Sequence, residues 1–538
     1  MKNNEQPIYI LPEGYKRDQG KSAQRLNIMA AKIVADTVRT TLGPKGMDKM
    51  LVDSLGDVIV TNDGVTILKE MNIEHPAAKM VVEIAKTQED EVGDGTTTAV
   101  VLAGEFLKNA EELLNKGIHP TMITKGFRMA ADKSQEILAR CAEKVTIDDD
   151  EVLTSIAMTA MTGKGAEFAK EKLSAIVLEA VRTVIEKTPN GYNLDRDNVK
   201  IEKLVGDGVE DTELVKGIIL DKEVVNTSMP KKIAGAKILL VDTALEIHDT
   251  EIDAKIQITD PSQLQAFLNN EQQMLKDIAD KIVKSGANVV FCQKGIDDYV
   301  QHILAKRGIL AATRVKKSDM DKLALALGTS VVSSLDDISR LGEAGIVDEV
   351  RVGDENMIYV RDCRNPRAVT ILARGGTEHV VDEVKRVLED AIGDLGAALK
   401  MGKVVPGAGA CEMELAKELG KFSETMSGRE QLAVKAFANA VEVIPTTLAE
   451  NAGLDPIDVL AELKSSHEKG NKSSGINVFT GKVMDSWKEG VIEPLKIKTQ
   501  AIKSASEVAV MILRIDDVIA AGEPDKGSKA AREDMPEE

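Results

Sequence analysis

Cysteine and aromatic residues are scarce in this chain of 538 residues. The cysteines are scattered, and no Cys-x-x-Cys pair occurs among Cys141, Cys292, Cys363 and Cys411. A disulfide framework and a cysteine zinc site are therefore disfavoured, and a reducing compartment is expected. Aromatic side chains make up only 3% of the residues, which argues against the base-stacking surfaces that bind single-stranded nucleic acids.

Basic charge and long apolar runs are lacking as well. The 69 lysines and arginines are outnumbered by 88 aspartates and glutamates, for a formal net charge of −19. A negative field repels phosphate backbones, so we predict no nucleic-acid partner. No uninterrupted apolar stretch reaches the roughly 18 residues that a membrane span needs. The amino terminus also lacks the apolar core of a signal peptide. The sequence predicts a cytoplasmic protein with no membrane partner.

Helical periodicity dominates both ends of the chain. Apolar residues recur at helical spacing from Ser22 until the double breaker Gly43-Pro44. Two short apolar runs, residues 50–52 and 58–60, predict a β-hairpin. The polar tail, residues 522–538, has almost no large apolar side chains, and we expect it to be disordered.

The middle of the chain alternates strands and helices. This β-α-β-α-β pattern predicts a parallel sheet with helical crossovers. No Gly-x-Gly-x-x-Gly follows the strands, so a dinucleotide site is disfavoured. The order helical, mixed, helical predicts a nested layout, in which both chain ends build one domain and the α/β segment is inserted. The predicted strands of this segment are residues 288–292, 308–314 and 330–332.

An insert within the middle segment has two possible roles. Apolar residues alternate from Ile252 to Ile258, as in a half-buried strand. Asp260-Pro261 then begins a helix whose apolar stripe extends to Ile282. This helix either docks on the sheet or forms a protruding arm that meets a partner. Periodicity alone favours the docked helix.

The strongest chemical signal is the segment Gly93-Asp-Gly-Thr-Thr-Thr98, which directly precedes an apolar helix. Glycines let backbone amides approach a phosphate, and a helix start offers free N–H groups and the positive end of its dipole. Asp94 repels phosphate by itself, but it fits if it holds a Mg²⁺ ion. The alternative is an ordinary capped turn. Asp207 lies in the same glycine triplet without the threonines or an obvious helix, and it serves as a control.

Four other features carry candidate chemistry. The loop at residues 40–46 could close over a nucleotide, but it is not a Walker A loop, and alone it favours a helix-terminating turn. Hydrolysis of a phosphoanhydride needs a metal and a carboxylate that orients or deprotonates water. Asp63 and Asp390 could supply that carboxylate, and Lys164 could reach a γ-phosphate. The alternatives are solvated aspartates and a surface-loop lysine.

Together these motifs resemble the group II chaperonins, the thermosome and TCP-1 type. Three family signatures occur in the usual order and at the usual separations, at residues 39–52, 60–68 and 88–96. The resemblance covers nearly the whole chain and is closest to archaeal thermosome subunits. Shorter matches occur at residues 162–165, 374–377, 427–431 and 490–494.

The resemblance implies an α+β multidomain fold. A mostly helical equatorial ATPase domain would be built from both chain ends. A small intermediate hinge domain would connect it to an inserted α/β apical domain that binds clients. The resemblance also implies that residues from about 250 to 284 form a helical lid protrusion, so the protruding arm is favoured over the docked helix. With this built-in lid, a separate lid co-chaperonin is not expected. The implied domains are equatorial 1–147 and 403–538, intermediate 148–216 and 369–402, and apical 217–368.

The same resemblance implies ATP and Mg²⁺ as cofactors. Asp94 would ligate Mg²⁺, while Asp63 and Asp390 would position and activate the attacking water. Lys164 would sense the γ-phosphate and couple nucleotide state to movement of the intermediate domain. The other implied nucleotide contacts are Thr41, Leu42, Gly43, Pro44, Gly64, Gly95, Thr96, Thr97, Thr98, Gly409, Asn477, Val478, Glu493 and Lys498.

The implied function is that of an ATP-dependent chaperone. Subunits would associate into two stacked rings and enclose non-native client proteins, and ATP binding and hydrolysis would close the built-in lid. The alternatives are an ATP-independent scaffold for unfolded proteins and a small-molecule kinase or phosphohydrolase. One departure from the family is Gly407-Ala408-Gly409, where three glycines are usual. Alanine disfavours a positive φ there, so the backbone contact or the ATP affinity could differ.

Overall fold

The chain divides into two compact units. The computed structural model describes residues 16–52, 56–189, 191–247, 261–338, 340–352, 355–364 and 366–520. The predicted strand at 252–258 and the tail at 522–538 lie outside these residues. The unit that we call the terminal unit comprises Met1–Ala142, Val405–Glu489 and Ile497–Glu538. The central unit comprises Glu143–Val404 and Gly490–Lys496. The further division of the middle segment into intermediate and apical domains stays a prediction.

Helices extend over much of the described chain. In chain order they are α1 (Gly20–Arg39), α2 (Gly64–Glu70), α3 (Pro76–Glu91), α4 (Thr96–Asn115), α5 (Pro120–Cys141), α6 (Asp150–Met161), α7 (Lys170–Val184), α8 (Pro261–Ser285), α9 (Asp298–Lys306), α10 (Lys317–Leu327), α11 (Glu378–Met401), α12 (Ala410–Glu424), α13 (Arg429–Val441), α14 (Val443–Asn451), α15 (Pro456–Glu468) and α16 (Leu495–Leu513). Short 3₁₀ turns occur at Glu167–Ala169, Arg196–Asn198 and Val209–Asp211.

The strands are short at the chain ends and longer in the middle. In chain order they are β1 (Lys16–Gln19), β2 (Lys49–Val52), β3 (Val58–Thr61), β4 (Glu143–Lys144), β5 (Glu186–Thr188), β6 (Gly191–Asn193), β7 (Val199–Val205), β8 (Glu213–Val215), β9 (Gly217–Leu220), β10 (Lys232–Val241), β11 (Val289–Cys292), β12 (Leu310–Ala312), β13 (Gly342–Val352), β14 (Glu355–Cys363), β15 (Val369–Gly375), β16 (Lys403–Pro406), β17 (Ser474–Asn477), β18 (Lys482–Asp485), β19 (Ile492–Pro494) and β20 (Asp517–Ala520).

Amphipathic helices build the core of the terminal unit. On α1 the buried residues recur three or four apart, as at Val34 and Val38, because that spacing places them on one face. Phe106 of α4 stacks on Phe437 of α13 with the ring centroids 4.1 Å apart. Phe127 of α5 meets both rings edge-on. These aromatic contacts fix three helices against one another.

The described part of the terminal unit also contains three small antiparallel pairs, which are β1 with β20, β2 with β3 and β17 with β18. The predicted hairpin is formed by β2 and β3, with Lys49 opposite Thr61. β1 and β20 pair with Lys16 opposite Ala520, which joins the first and last described strands. An ion pair of 2.5 Å between Arg17 and Asp517 lies across this pairing.

The six-stranded sheet of the central unit is mixed, so the prediction of a parallel sheet is only half right. Its strand order is β12-β11-β10-β13-β14-β9. β10, β11 and β12 are parallel, as the β-α-β pattern predicts. β13 is antiparallel to β10, β14 is antiparallel to β13, and β9 is antiparallel to β14. The connection between β13 and β14 is too short for a crossover, which requires a dozen or more residues.

The predicted strand at residues 330–332 is also wrong. Only Val332 pairs, through a single parallel bridge to Val241. The apolar run is two residues long and is flanked by Ser330 and by Ser333-Ser334. It is therefore too short, and its flanks are too polar, to extend the sheet.

A second sheet of the central unit carries the helix that holds Asp390. Its strand order is β7-β15-β8, with β15 parallel to β7 and antiparallel to β8. Thr377 caps α11 by accepting a hydrogen bond from the amide of Val380. α11 packs against α6 and α7.

Helix α8 is docked over its carboxyl-terminal half, and the role of a protruding arm stays a prediction. Leu275, Ala279 and Ile282 in its carboxyl-terminal half are buried in the apolar core of the central unit. In the preceding part, Phe267 is 53% exposed and Met274 is 52% exposed. The helix is therefore docked at one end and solvated at the other.

One helical stretch, Arg429–Asn451, is long and apolar enough to cross a membrane by length and composition alone. It comprises α13 and α14, and 67% of its apolar window is buried inside the structure. Buried core helices of soluble proteins have the same length and apolar composition, so this stretch is weak evidence for a membrane span.

Candidate functional site

The amino terminus of α4 offers open backbone amides. Its N-cap residue is Gly95, with φ of 78° in the left-handed region, and no side chain caps the helix. Thr96, Thr97 and Thr98 form the first turn and are buried. The first N–H groups of a helix have no partner within the helix. This end therefore presents unpaired donors and positive dipole charge, as the glycine-threonine segment predicts.

Asp63 and Gly64 lie directly against this helix end. A Cβ atom on Gly64 would come within 2.5 Å of Thr97 Oγ1, so glycine is needed for the close approach. Asp63 is the N-cap of α2, and its Oδ2 accepts hydrogen bonds from the amide and hydroxyl of Thr66 at 2.9 and 2.6 Å. Its Oδ1 is 3.4 Å from the hydroxyl of Thr96. Donors therefore lie against both oxygens of this carboxylate, beside the start of α4.

The loop at residues 40–46 follows the carboxyl end of α1. The amide of Met47 donates to the carbonyl of Thr40 at 2.8 Å, and Thr41 Oγ1 donates to Val38. Asn451 Nδ2 donates to the carbonyls of Arg39 and Leu42 at 3.1 and 2.9 Å. Sequence reasoning missed Asn451, because more than 400 residues separate it from the loop that it holds.

A second helix of the terminal unit begins in the same way as α4. The N-cap of α12 is Gly409, with φ of 78° and no side-chain cap. Ala408 before it has φ of 55°, so this alanine adopts the conformation that it disfavours. The carbonyl of Ala408 accepts a hydrogen bond from the amide of Ile476 at 3.0 Å. That bond places β17, and with it Asn477 and Val478, beside the start of α12.

Asn477 and Lys498 already have protein partners. Asn477 Oδ1 accepts hydrogen bonds from the amides of Phe479 and Thr480, both at 3.0 Å, and so stabilises the turn before β18. Lys498 is buried, and its Nζ lies 2.8 Å from Oε1 of the buried Glu412. Sequence reasoning did not single out Glu412. The one sequence feature that could have indicated Glu412 is its position as an acidic residue in the first turn of α12, after the Gly407–Gly409 segment.

The central unit brings Lys164 and Asp390 together. Lys164 Nζ donates to Asp390 Oδ2 at 2.5 Å. Asp390 is 8% exposed on α11, and Lys164 lies in the loop after α6. Glu493 is placed on β19 in the same unit. The predicted convergence of Asp390 with Asp63 and Asp94 stays a prediction, because Asp390 belongs to the central unit and the other two to the terminal unit.

The arrangement in the terminal unit fits a magnesium nucleotide. Asp94 is half-buried, and no hydrogen bond or ion pair to its carboxylate occurs in the part of the chain that the structure describes. No group of three His, Cys, Asp or Glu side chains there could hold a metal ion alone. Mg²⁺ at nucleotide sites is commonly bound through one or two carboxylates plus substrate phosphates and water. One carboxylate beside an uncapped helix end matches that donor set.

Comparisons with known proteins agree over nearly the whole chain. The model of the TCP-1/cpn60 chaperonin family matches residues 34–523. Thermosome subunit beta of Archaeoglobus fulgidus is 61% identical, with 99% of both chains covered. The thermosome subunit of Methanopyrus kandleri is also 61% identical, with 96% of both covered.

A solved structure is similar as well. It is the open-state monomer of a group II chaperonin from Methanococcoides burtonii, which is 49% identical with a TM-score of 0.60. The match covers 79% of this chain and 100% of that one. This chain therefore belongs to the TCP-1/cpn60 chaperonin family, and it is an ATP-dependent chaperonin subunit with an α+β multidomain fold.

Proposed function

We propose that this chaperonin forms a chamber of two stacked rings that encloses non-native proteins and closes with Mg²⁺-ATP. The observation that carries the proposal is the uncapped amino terminus of α4 with Asp63 and Asp94 beside it. Such a helix end binds phosphate groups through its free amides and dipole. A nucleotide that binds more tightly to the closed state shifts the population toward closure.

We assign the residues of the site to two groups, one that contacts the phosphates and Mg²⁺ and one that contacts the base and ribose. The amides and hydroxyls of Thr96, Thr97 and Thr98 face the phosphates, and Asp94 holds Mg²⁺, which spreads the phosphate charge when bound. Residues 41–44 and Gly64 line the pocket with backbone groups. Gly409, Asn477, Val478, Glu493 and Lys498 are the proposed contacts on the base and ribose side.

Lys164 and Asp390 supply the step that depends on the γ-phosphate. In the structure the two charges neutralise each other at 2.5 Å. A γ-phosphate competes for the lysine ammonium, because it carries more negative charge than one carboxylate. Loss of this ion pair changes the charge beside Asp390, which we propose, like Asp63, as a group that positions or activates the attacking water. The loop after α6 would then move when ATP is bound.

Exposed apolar side chains support association between subunits. On the β2–β3 hairpin, Met50 is 69% exposed and Val52 is 62% exposed, and Val58 and Val60 are exposed as well. A two-stranded hairpin is marginal on its own in water. Its outer edges, which pair with no other strand among the described residues, can pair with another chain. A second copy of the chain is the proposed occupant of this surface.

The solvated part of α8 supports the roles of client contact and lid. Phe267, Leu268 and Met274 are exposed there, and adaptable apolar side chains suit partners of varied sequence. Residues 250–260 of the proposed lid lie outside the described part of the chain. With a lid of its own, the chamber needs no separate lid co-chaperonin. We propose a cytoplasmic location, with no nucleic-acid or membrane partner.

Electron microscopy with and without Mg²⁺-ATP tests this proposal. We expect double rings far larger than the 58.0 kDa subunit, and protease protection of an unfolded client only with Mg²⁺-ATP. Deletion of residues 250–272, which spares the buried carboxyl-terminal half of α8, should keep the ATPase activity but abolish protection. A monomer or dimer with rapid ATP turnover would exclude the chamber and favour a kinase or phosphohydrolase.

Asp207 offers a matched control for Asp94. Both aspartates lie between two glycines, but Asp207 pairs with Arg374 at 2.6 Å. Asp94→Ala should weaken Mg²⁺-ATP binding and abolish client protection, whereas Asp207→Ala should retain Mg²⁺-ATP binding. Equal Mg²⁺-ATP affinities of parent and Asp94→Ala would remove Asp94 from the metal site.

A further inference from the structure

The buried side chain of Gln88 lies beside the Gly93–Gly95 segment. It lies in the last turns of α3, and its side chain is 0% exposed. Its backbone carbonyl accepts from the amides of Val92 and Gly93 at 3.0 and 3.3 Å. The residue therefore holds the beginning of the segment through its main chain, and its side chain remains available for other contacts.

The side-chain amide of Gln88 joins two separate parts of the candidate site. Nε2 donates to the carbonyl of Asp94 at 2.9 Å and makes a longer contact of 3.4 Å to the carbonyl of Ile497. Ile497 directly precedes Lys498 near the start of α16. Both partners are acceptors, so the orientation of the amide is determined by its contacts.

The contact with Asp94 has consequences for the next residue too. A carbonyl and the following N–H belong to one rigid peptide plane. Holding the carbonyl of Asp94 therefore fixes the direction of the Gly95 amide as well. A Cβ atom on Gly95 would lie 2.6 Å from Ile497 Cγ2 and 3.2 Å from Gln88 Nε2, so the same two residues crowd this glycine.

The other end of the Gln88 side chain is unfavourable for stability. Its Oε1 is buried and has no hydrogen-bond partner among the described residues. A buried polar atom without a partner lowers the stability of the folded state. An apolar side chain of similar length would avoid this cost, so packing does not account for a glutamine at this position. Unfavourable groups of this kind are expected at functional sites.

We propose that Gln88 is a positioning residue for the magnesium-nucleotide site, which orients Asp94 and the first amides of α4 and ties them to Ile497 and Lys498. The inference rests on the proposed function, because it assigns Asp94 to Mg²⁺. Gln88 itself touches neither metal nor phosphate in this role. It acts through the peptide between Asp94 and Gly95.

The test uses Gln88→Met, which keeps the length of the side chain but removes the donor and the unpaired oxygen. Without nucleotide, the thermal midpoint should change little, because the removal of the unpaired Oε1 offsets the loss of the donor contacts to Asp94 and Ile497. Amide hydrogen exchange at Ala99, whose amide donates to the carbonyl of Gly95 at 3.0 Å, should nevertheless become faster. The Mg²⁺ concentration for half-maximal ATP binding should rise about tenfold, as for other residues that orient a metal ligand. ATP binding without Mg²⁺ should change much less.

Gln135→Met is the matched control. Gln135 Nε2 donates to the carbonyl of Thr499 at 3.2 Å, so it also contacts α16 but not Asp94. Its variant should leave the Mg²⁺ dependence unchanged. Gln88→Glu, of nearly the same shape, is the second variant and should raise the Mg²⁺ requirement in the same direction. A Gln88→Met protein with a lower thermal midpoint and the parent's Mg²⁺ dependence would show a packing role and overturn the proposal. If the parent itself bound ATP without any Mg²⁺ dependence, the proposed function would fail first.

Discussion

Single carboxylates are the groups to which we assign the proposed chemistry, and their surroundings differ. Asp63 is held by donors on both oxygens and also caps a helix. Asp390 is buried and pairs with a lysine. Asp94 is half-buried, with its carbonyl held by Gln88. One residue type thus serves as cap, ion-pair partner and candidate metal ligand, and the sequence does not distinguish these environments.

Replacement of Asp390 by alanine tests its role in hydrolysis. We expect Asp390→Ala to bind ATP and to hydrolyse it at least about 100-fold more slowly, since a positioned acid or base contributes 10²–10⁴-fold. Steady-state phosphate release measures hydrolysis, and ATP titration measures binding. Asp382→Ala is the control, because Asp382 lies on the same helix and pairs with the exposed Lys203 at 2.7 Å. Near-parental turnover of Asp390→Ala would rule out a catalytic role.

The buried Glu414 predicts acid sensitivity of the terminal unit. Burial raises the pKa of Glu414, but hydrogen bonds from His467 and Lys417 outweigh it and hold the pKa below its usual 4.5. The carboxylate therefore contributes stability that is complete above pH 4.5 and is lost as pH falls through the lower folded pKa.

Glu414→Gln should lower the free energy of unfolding at pH 7 and flatten its decline below pH 4.5, as denaturant melts across pH would show. Glu418→Gln is the control, since that carboxylate pairs with the exposed Lys421. Parallel pH profiles for the parent and Glu414→Gln would contradict this account.

At the scale of elements, helices α4 and α12 share one kind of beginning. Each starts after a glycine with φ of 78° and has no side-chain cap. The sequence predicts α4 well, because glycines and threonines precede an apolar run. It predicts the contacts of α12 poorly, because its partner β17 begins about 60 residues later. Asn451 was missed for the same reason, and so was the contact of Gln88 with Ile497, because these partners are distant in sequence.

Ala408 gives a test of backbone strain at the start of α12. An alanine in the left-handed region costs roughly 1–2 kcal/mol relative to glycine, while glycine adds about 0.4–1 kcal/mol of entropy to the unfolded chain. Ala408→Gly should therefore stabilise the protein by up to about 1 kcal/mol, measured by denaturant melts without nucleotide. Ala416→Gly, inside the same helix, should instead destabilise it. Destabilisation by both substitutions would mean that the Ala408 methyl contact matters more than the strain.

At the scale of the whole molecule, the sequence predicted the fold class and the family, but not the full sheet topology. The β-α-β half of the six-stranded sheet follows from apolar runs of fixed spacing. The antiparallel half mixes charged and apolar residues, as in residues 342–352, and it lacks that simple signal. The candidate site residues follow from local motifs, whereas some groups that hold them, such as Asn451 beside the loop at residues 40–46, lie in distant segments.

The pairing of β1 with β20 places the two termini of the described chain side by side. Chain ends that lie this close can be joined by a short linker and the chain reopened elsewhere, which is the basis of circular permutation. New ends could then be placed in a solvent-exposed loop of the central unit. A label or affinity handle fused there would report from a different part of the subunit than one fused at either natural end.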